Sequence, residues 1–201
     1  YELFLEPFMV PAVLHLLLCC CVAFAIGQEF KRNTFAEWVN PQQIVSSFLG
    51  KILVYVCIFC FWTWSWMFWL AHIRGYFIAG SLSLILIAQF LLYFAYAVIS
   101  STVVLATKDL PKTFGFIALY GGSSPSFSGI TLPLNNAPAF TQFWSMIIPY
   151  TPYAKLQTEQ WVIGSDLWVS LLPFGILIIF SALYFALSIR LLRKNTLEQR
   201  S

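Results

Sequence analysis

The chain has 201 residues, 60% of them hydrophobic and 9% charged, with a formal net charge of +3. Globular chains carry about 25% charged residues, and the mean hydropathy here is +0.79, which together exclude a water-soluble domain. The indicated fold class is all-α, a polytopic membrane protein.

A membrane helix needs about 20 apolar residues rising about 1.5 Å each. A central Asp, Lys or Arg costs about 2.5–3.5 kcal/mol on the insertion scale, so charge-free runs mark the spans. Pro7–Gly27 is the first, and Phe48–Ala71 the second with Lys51 at its edge. Phe77–Ala106 is the third, long enough to tilt or to begin in the interface. Phe114 to about Leu134 is the fourth, and Leu167–Ile189 the fifth, ending in Arg190-Leu191-Leu192-Arg193-Lys194. Cys19, Cys20, Cys21, Cys57 and Cys60 all lie inside apolar runs, which predicts buried small hydrophobes rather than a disulfide framework or zinc site.

Between the first two spans, Gln28–Gln43 is the longest stretch of mixed charge. As a helix it sets Phe30, Thr34, Phe35, Trp38 and Val39 on one half, with Lys31 snorkelling from that half. Glu29, Arg32, Asn33, Ala36, Glu37 and Asn40 share the other, and Pro41 ends the helix because it lacks an amide. An amphipathic helix at a membrane surface either floats among headgroups or docks a soluble partner; both readings stand at this point.

Thr113–Ala154 has no charge, yet Pro125, Pro133, Pro138, Pro149 and Pro152 with Gly121, Gly122 and Gly129 break it. Carbonyls freed by proline in hydrocarbon must find protein or water. The predicted solution is a helix rising to the outer face, a turn near Leu132–Pro138, a short helix dipping back over Ala139–Ile148, and another returning over Ala154–Val162. Such a re-entrant hairpin lines or seals a pathway. Ser126-Phe127-Ser128-Gly129 resembles the G-x-S-G of intramembrane serine proteases but fails at its first position, and no histidine follows it in the chain.

Orientation follows from basic residues. Lys31, Arg32, Lys51, Lys108, Lys112, Arg190, Arg193, Lys194 and Arg200 fall on one side, which is then cytoplasmic; Arg74 and Lys155 fall on the other. The C-terminus is inside and Tyr1 outside. With Glu2 and Glu6 where a basic leader would stand, an outside start implies a further span upstream. Trp62, Trp66 and Trp69, at i, i+4 and i+7, suit an aromatic belt at the outer end of the second span or a ligand-stacking face. His15 is mid-span with nothing ionisable in its run, which favours a hydrogen-bonded structural role over a functional one. The basic surplus lacks a solvated face and is a topology signal, not a nucleic-acid footprint.

Four stretches, in order, resemble the permease subunits of ABC-2 type exporters. That family places R-E-x-x-x-G-T-L-E after its second span; Gln28–Phe35 matches at Glu29 and Thr34, with Gln28, Asn33 and Phe35 replacing arginine, glycine and leucine, and Ala36 departing before Glu37. Asn33 tolerates the left-handed backbone of the replaced glycine. Gly50-Lys51 resembles the G-K opening the third span. Phe127–Leu134 with Ala137-Pro138 is similar to S-G-x-x-x-P-x-x-x-M-P, and Ile148–Tyr153 to N-P-x-T-x-Y/F, closed by Trp161–Gly164.

The resemblance implies spans two to six of a six-span permease, residues 1–201 forming one transmembrane domain that lacks the first span and, in one subclass, an external domain. It implies a multi-pass protein of the cell membrane, a bacterial inner membrane first, with five transmembrane helices. Gln28–Gln43 (28–43) becomes an amphipathic cytoplasmic coupling segment in which Glu29, Lys31, Arg32, Thr34 and Glu37 meet the ATPase. Residues 125–164 become the re-entrant outer segment, with Ser128, Gly129, Pro133, Pro138, Pro149 and Tyr153 at an outer gate. Partners are a cytosolic ABC ATPase, a second permease copy or homologue, the bilayer and an external adaptor protein. The chain has no cofactor and no catalysis of its own, because no G-x-x-x-x-G-K-S/T is present and ATP belongs to the partner. Two other classes remain open: an ATPase-independent channel or scaffold, and an intramembrane hydrolase using Ser128. The aromatic-rich walls suit a lipid, a hydrophobic drug or a polyketide-like cargo, and equally suit bilayer contact.

Overall fold

The structure, a computed structural model, describes residues 2–131 and 133–198. In chain order its helices are α1 (Glu2–Lys31), α2 (Phe35–Trp38), α3 (Ile44–His72), α4 (Leu82–Thr107), α5 (Leu110–Tyr120), α6 (Ser124–Phe127), α7 (Ala139–Met146), α8 (Tyr150–Gln157) and α9 (Leu167–Glu198). A π-helical turn, Thr158–Ile163, continues α8. Among the described residues four helices are long and apolar enough to cross a membrane: α1 from Leu5, α3, α4 and α9.

The long helices run alternately between two ends. At one end Glu6 accepts from Tyr76 Oη at 2.5 Å, and Gly80 N donates to Gln160 O at 2.8 Å. At the other, Lys51 pairs with Glu29 and Lys108 with Glu198. The second end also holds Lys31, Arg32 and Lys112, and is called the basic end below. Central α4 packs against α1, α3, α5, α8 and α9. Its contact with α9 is partly polar: Ser188 Oγ donates to Val98 O at 3.0 Å and Asn195 Nδ2 to Leu105 O at 3.0 Å. Without a hydrophobic drive between helices in lipid, such bonds and close packing hold a bundle together.

Four expectations change in detail. The third span begins at Leu82 rather than Phe77, because Ser81 caps it, Oγ accepting from Leu84 N at 3.3 Å. Cys57 is exposed on the perimeter, while Cys19 and Cys60 are buried as expected. Gln28–Asn40 is not one helix: α1 carries on through Lys31 and then turns.

The fourth expected span, Phe114 to about Leu134, is not one helix either, and Leu132 lies outside the described residues. α5 starts against Gly27, where an added Cβ would sit 2.3 Å from Leu110 Cδ2. It has only 11 residues and ends level with the middle of α1, where His15 Nε2 faces Gly121 O at 3.2 Å. The return begins at that same level with Tyr150, whose ring lies 5.3 Å from His15. α8 and its π-helical extension then climb to the sparsely charged end. α5 and α8 are thus two short helices whose facing ends lie at the level of His15, and the described residues of 122–149 join them.

Candidate functional site

The expected site residues fall in two places. The first is the turn at the basic end. Asn33 has φ 58, so the chain enters the left-handed region there. Asn33 N donates to Phe30 O at 3.3 Å and Thr34 N to Glu29 O at 3.0 Å. That pair is the Schellman arrangement that terminates a helix when glycine or asparagine follows it. Asn33 thus supplies the left-handed residue that ends the helix.

Glu29 is the hub of the turn. It accepts from Thr34 Oγ1 at 2.5 Å and from Lys51 Nζ on α3. The Lys51 ammonium also lies 4.2 Å from the centre of the Trp38 ring. Two stretches read separately in the sequence, Gln28–Phe35 and Gly50-Lys51, therefore bond to each other. Phe35 and Val39 are fully buried, Phe35 stacks on Phe30 at 4.6 Å, and Phe30 and Trp38 pack on the same core. The apolar half rests on protein, which corrects the floating reading for Phe35 and Val39.

Of the five coupling candidates, Lys31, Arg32 and Glu37 are exposed, whereas Glu29 and Thr34 are half-buried and hold the turn. A groove of about 560 Å³ follows the turn in the chain, lined by residues 41–46 and by Arg193, Thr196 and Leu197 of α9. Nearby, Asp109 caps α5, accepting from Lys112 N at 3.0 Å, and pairs with Lys112 Nζ at 3.2 Å. The Lys112 amide first, and its ammonium second, hold the Asp109 carboxyl below the usual carboxylate range.

The second place is the break between α5 and α8. Proline explains how it is anchored. Pro11 has no amide for the carbonyl of Pro7 one turn back, and Gln157 Nε2 donates to that oxygen at 2.7 Å. Tyr150 Oη donates to the next carbonyl, Phe8 O, at 2.7 Å. His15 is fully buried, its Nδ1 3.1 Å from Pro11 O and its Nε2 3.2 Å from Gly121 O. Tyr120 Oη donates to Ile147 O, and Trp144 Nε1 to Ser123 Oγ at 2.9 Å, which closes the mouth of the excursion. Phe127, Phe140 and Trp144 pack as an aromatic cluster with centroids 5.8–6.3 Å apart.

The six gate candidates divide here. Ser128 donates to Pro125 O at 2.8 Å, Gly129 turns the chain at φ 85, and Pro133 is exposed in the following loop. Pro138 opens α7 and Pro149 opens α8. Tyr153 is apart from them, fully buried between Gln157 Oε1, to which it donates, and Gln89 Nε2 at 3.4 Å. The short helix expected over Ala139–Ile148 is α7, and the one over Ala154–Val162 begins four residues earlier, at Tyr150.

A family model described as ABC-2 family transporter protein matches residues 4–190. The chain belongs to that family. Membership in the ABC-2 family supports a non-catalytic membrane permease of an ABC transporter. No curated protein matches the chain in a sequence comparison.

Sequence reasoning missed three partners. Glu29 and Lys51 are 22 residues apart, His15 and Gly121 are 106 apart, and Gln157 and Pro7 are 150 apart. The only available signal was proline spacing: Pro7 and Pro11 demand a donor from elsewhere, and Gln157 is an uncharged donor flanking the returning helix. The Trp62/Trp66/Trp69 face lines a groove of about 420 Å³ with Val10 and Leu14.

Proposed function

We propose that this ABC-2 permease is the membrane subunit of an ATP-driven exporter. A separate cytosolic ATPase docks at the basic end, which is the cytoplasmic face, so the C-terminus lies inside. A second permease copy or homologue completes the pathway. ATP-driven closure of the ATPases pushes on residues 28–43, and the motion passes into α1 and α3.

The turn itself carries this reading. Lys31, Arg32 and Glu37 are presented outward, while Glu29, Thr34, Lys51 and Trp38 lock the turn to two long helices. A push on the exposed residues is thereby delivered to rigid elements rather than absorbed by a loose loop. The adjoining groove with Arg193 offers the ATPase a concave seat. At the other end, residues 125–164 act as the re-entrant outer segment, and Ser128, Gly129, Pro133 and Pro138 form its movable part.

The test is Arg32→Glu in the assembled transporter. The variant is expected to stay in the membrane and to hydrolyse ATP without exporting cargo. Unchanged export sinks the coupling role of the turn. Isolation of the native protein without any nucleotide-binding subunit sinks the ATP-driven reading and leaves a channel or scaffold.

A further inference from the structure

Between Lys112 and Arg190 the chain carries a single basic residue, Lys155. It lies on α8 and lines a depression of about 290 Å³ with Met146, Thr151, Leu172, Pro173 and Ile176. At 1.5 Å per residue, Leu172 and Ile176 stand about 8 and 14 Å below the start of α9. The lysine is therefore set inside the apolar zone, not at its rim, and a charge there is costly unless it is answered.

No acidic side chain among the described residues answers it. Among the described residues Lys155 has no ion pair, and Glu159, one turn further on, is turned to Ser170 Oγ at 2.7 Å. Thr151 lies one turn before Lys155, on the same face of α8. Its hydroxyl is shielded and has no hydrogen-bond partner. A cation and an unpaired hydroxyl, one turn apart beside aliphatic walls, complement an anionic group carried on an acyl chain. Met146 and Leu172 are 72% and 66% exposed, so the mouth opens on the apolar perimeter that faces lipid.

We propose that this depression binds one anionic phospholipid from the leaflet at the sparsely charged end. Lys155 takes the phosphate, the shielded Thr151 hydroxyl rotates outward to donate to it, and Leu172 and Ile176 flank the first carbons of an acyl chain. The site requires membrane embedding only and is independent of the exporter reading.

The test places the protein in nanodiscs of equal phosphatidylglycerol and phosphatidylcholine and identifies retained lipid by native mass spectrometry. Wild type is expected to retain phosphatidylglycerol preferentially, with Lys155 contributing about fivefold, the effect of one basic residue on an anionic lipid. Lys155→Gln lowers the preference by that factor and Lys155→Arg keeps it. Leu172→Trp fills the wall and lowers retention of both lipids while leaving the charge in place. Equal retention of the two lipids by wild type overturns the proposal, as does an undiminished preference in Lys155→Gln. Should Lys155→Gln fail to accumulate, the wild-type competition and Leu172→Trp decide.

Discussion

The turn at the basic end and the break beside His15 both interrupt a membrane helix, and different materials hold them. Glu29, Thr34 and Lys51 use charge at the turn, with side chains about one-fifth exposed for the ion pair. At the break, the uncharged groups of Tyr150, Gln157 and Tyr120 each donate to a backbone carbonyl, and the His15 ring sits between two more, Pro11 O and Gly121 O. Near the interface an ion pair keeps part of its hydration, whereas in mid-membrane a charge is costly and a freed carbonyl must be paired internally. Stiffness at the turn is thus electrostatic and partly open to solvent. Stiffness at the break depends on packing and on which side chain reaches which carbonyl.

The largest expected effect comes from Lys51→Met. It strands the Glu29 carboxylate in a half-buried place and removes the cation over Trp38. Hydrogen bonds to charged groups are worth about 1.5–3 kcal/mol, so the unfolding midpoint in detergent should fall clearly. The exchanged pair, Glu29→Lys with Lys51→Glu, should recover part of that loss. No recovery would mean that Glu29 acts through Thr34 and the turn alone.

His15→Leu breaks the other region. It leaves Gly121 O without its side-chain partner and Tyr150 without its ring neighbour. Interhelical hydrogen bonds in membranes are worth about 1–2 kcal/mol at most in model systems, so the global loss is smaller. Its location is the sharper readout: protection from hydrogen exchange should drop in residues 118–124 and 148–153 before it drops at the turn. Equal loss at both places would show that the two regions are one cooperative unit.

The two regions also differ in how much could be read ahead of the structure. The four long helices follow from charge-free length, and the turn at Asn33 from one residue's tolerance of positive φ. Both are local signals. The turn expected near Leu132–Pro138 is present in its described residues, but the break beside Gly121 is an additional one, because prolines mark the former while Gly121-Gly122 does not advertise depth. What sets the depth is His15, on a different helix, and a contact 106 residues away leaves no trace in spacing. The charge of Lys155 is likewise visible in the sequence, but its place beside Leu172 and Ile176 of α9 is not. The exposure of Lys31, Arg32 and Glu37 is legible because exposure at a polar turn is a local property. The anchoring roles of Glu29 and Tyr153 are not, since each depends on a partner element.

The smallest effect separates the regions by pH. Asp109 belongs to the basic end and caps α5, whereas the break is pinned by neutral groups. Its carboxyl is held below the usual range by the Lys112 amide and then the Lys112 ammonium. The unfolded-state value is therefore the higher one, so the group stabilises the fold fully above the ordinary aspartate range. That stabilisation fades as pH falls through the lower, folded-state value. Asp109→Asn keeps a capping oxygen, since asparagine and aspartate cap about equally well, but it removes this titration. Melting curves of wild type and Asp109→Asn should thus lie apart near neutral pH and converge on acidification. Hydrogen exchange at residues 118–124, on the far side of α5, should show no difference between the two proteins at any pH. A pH-dependent difference there would mean that charge at the basic end reaches the break through α5, and that the two interruptions are coupled after all.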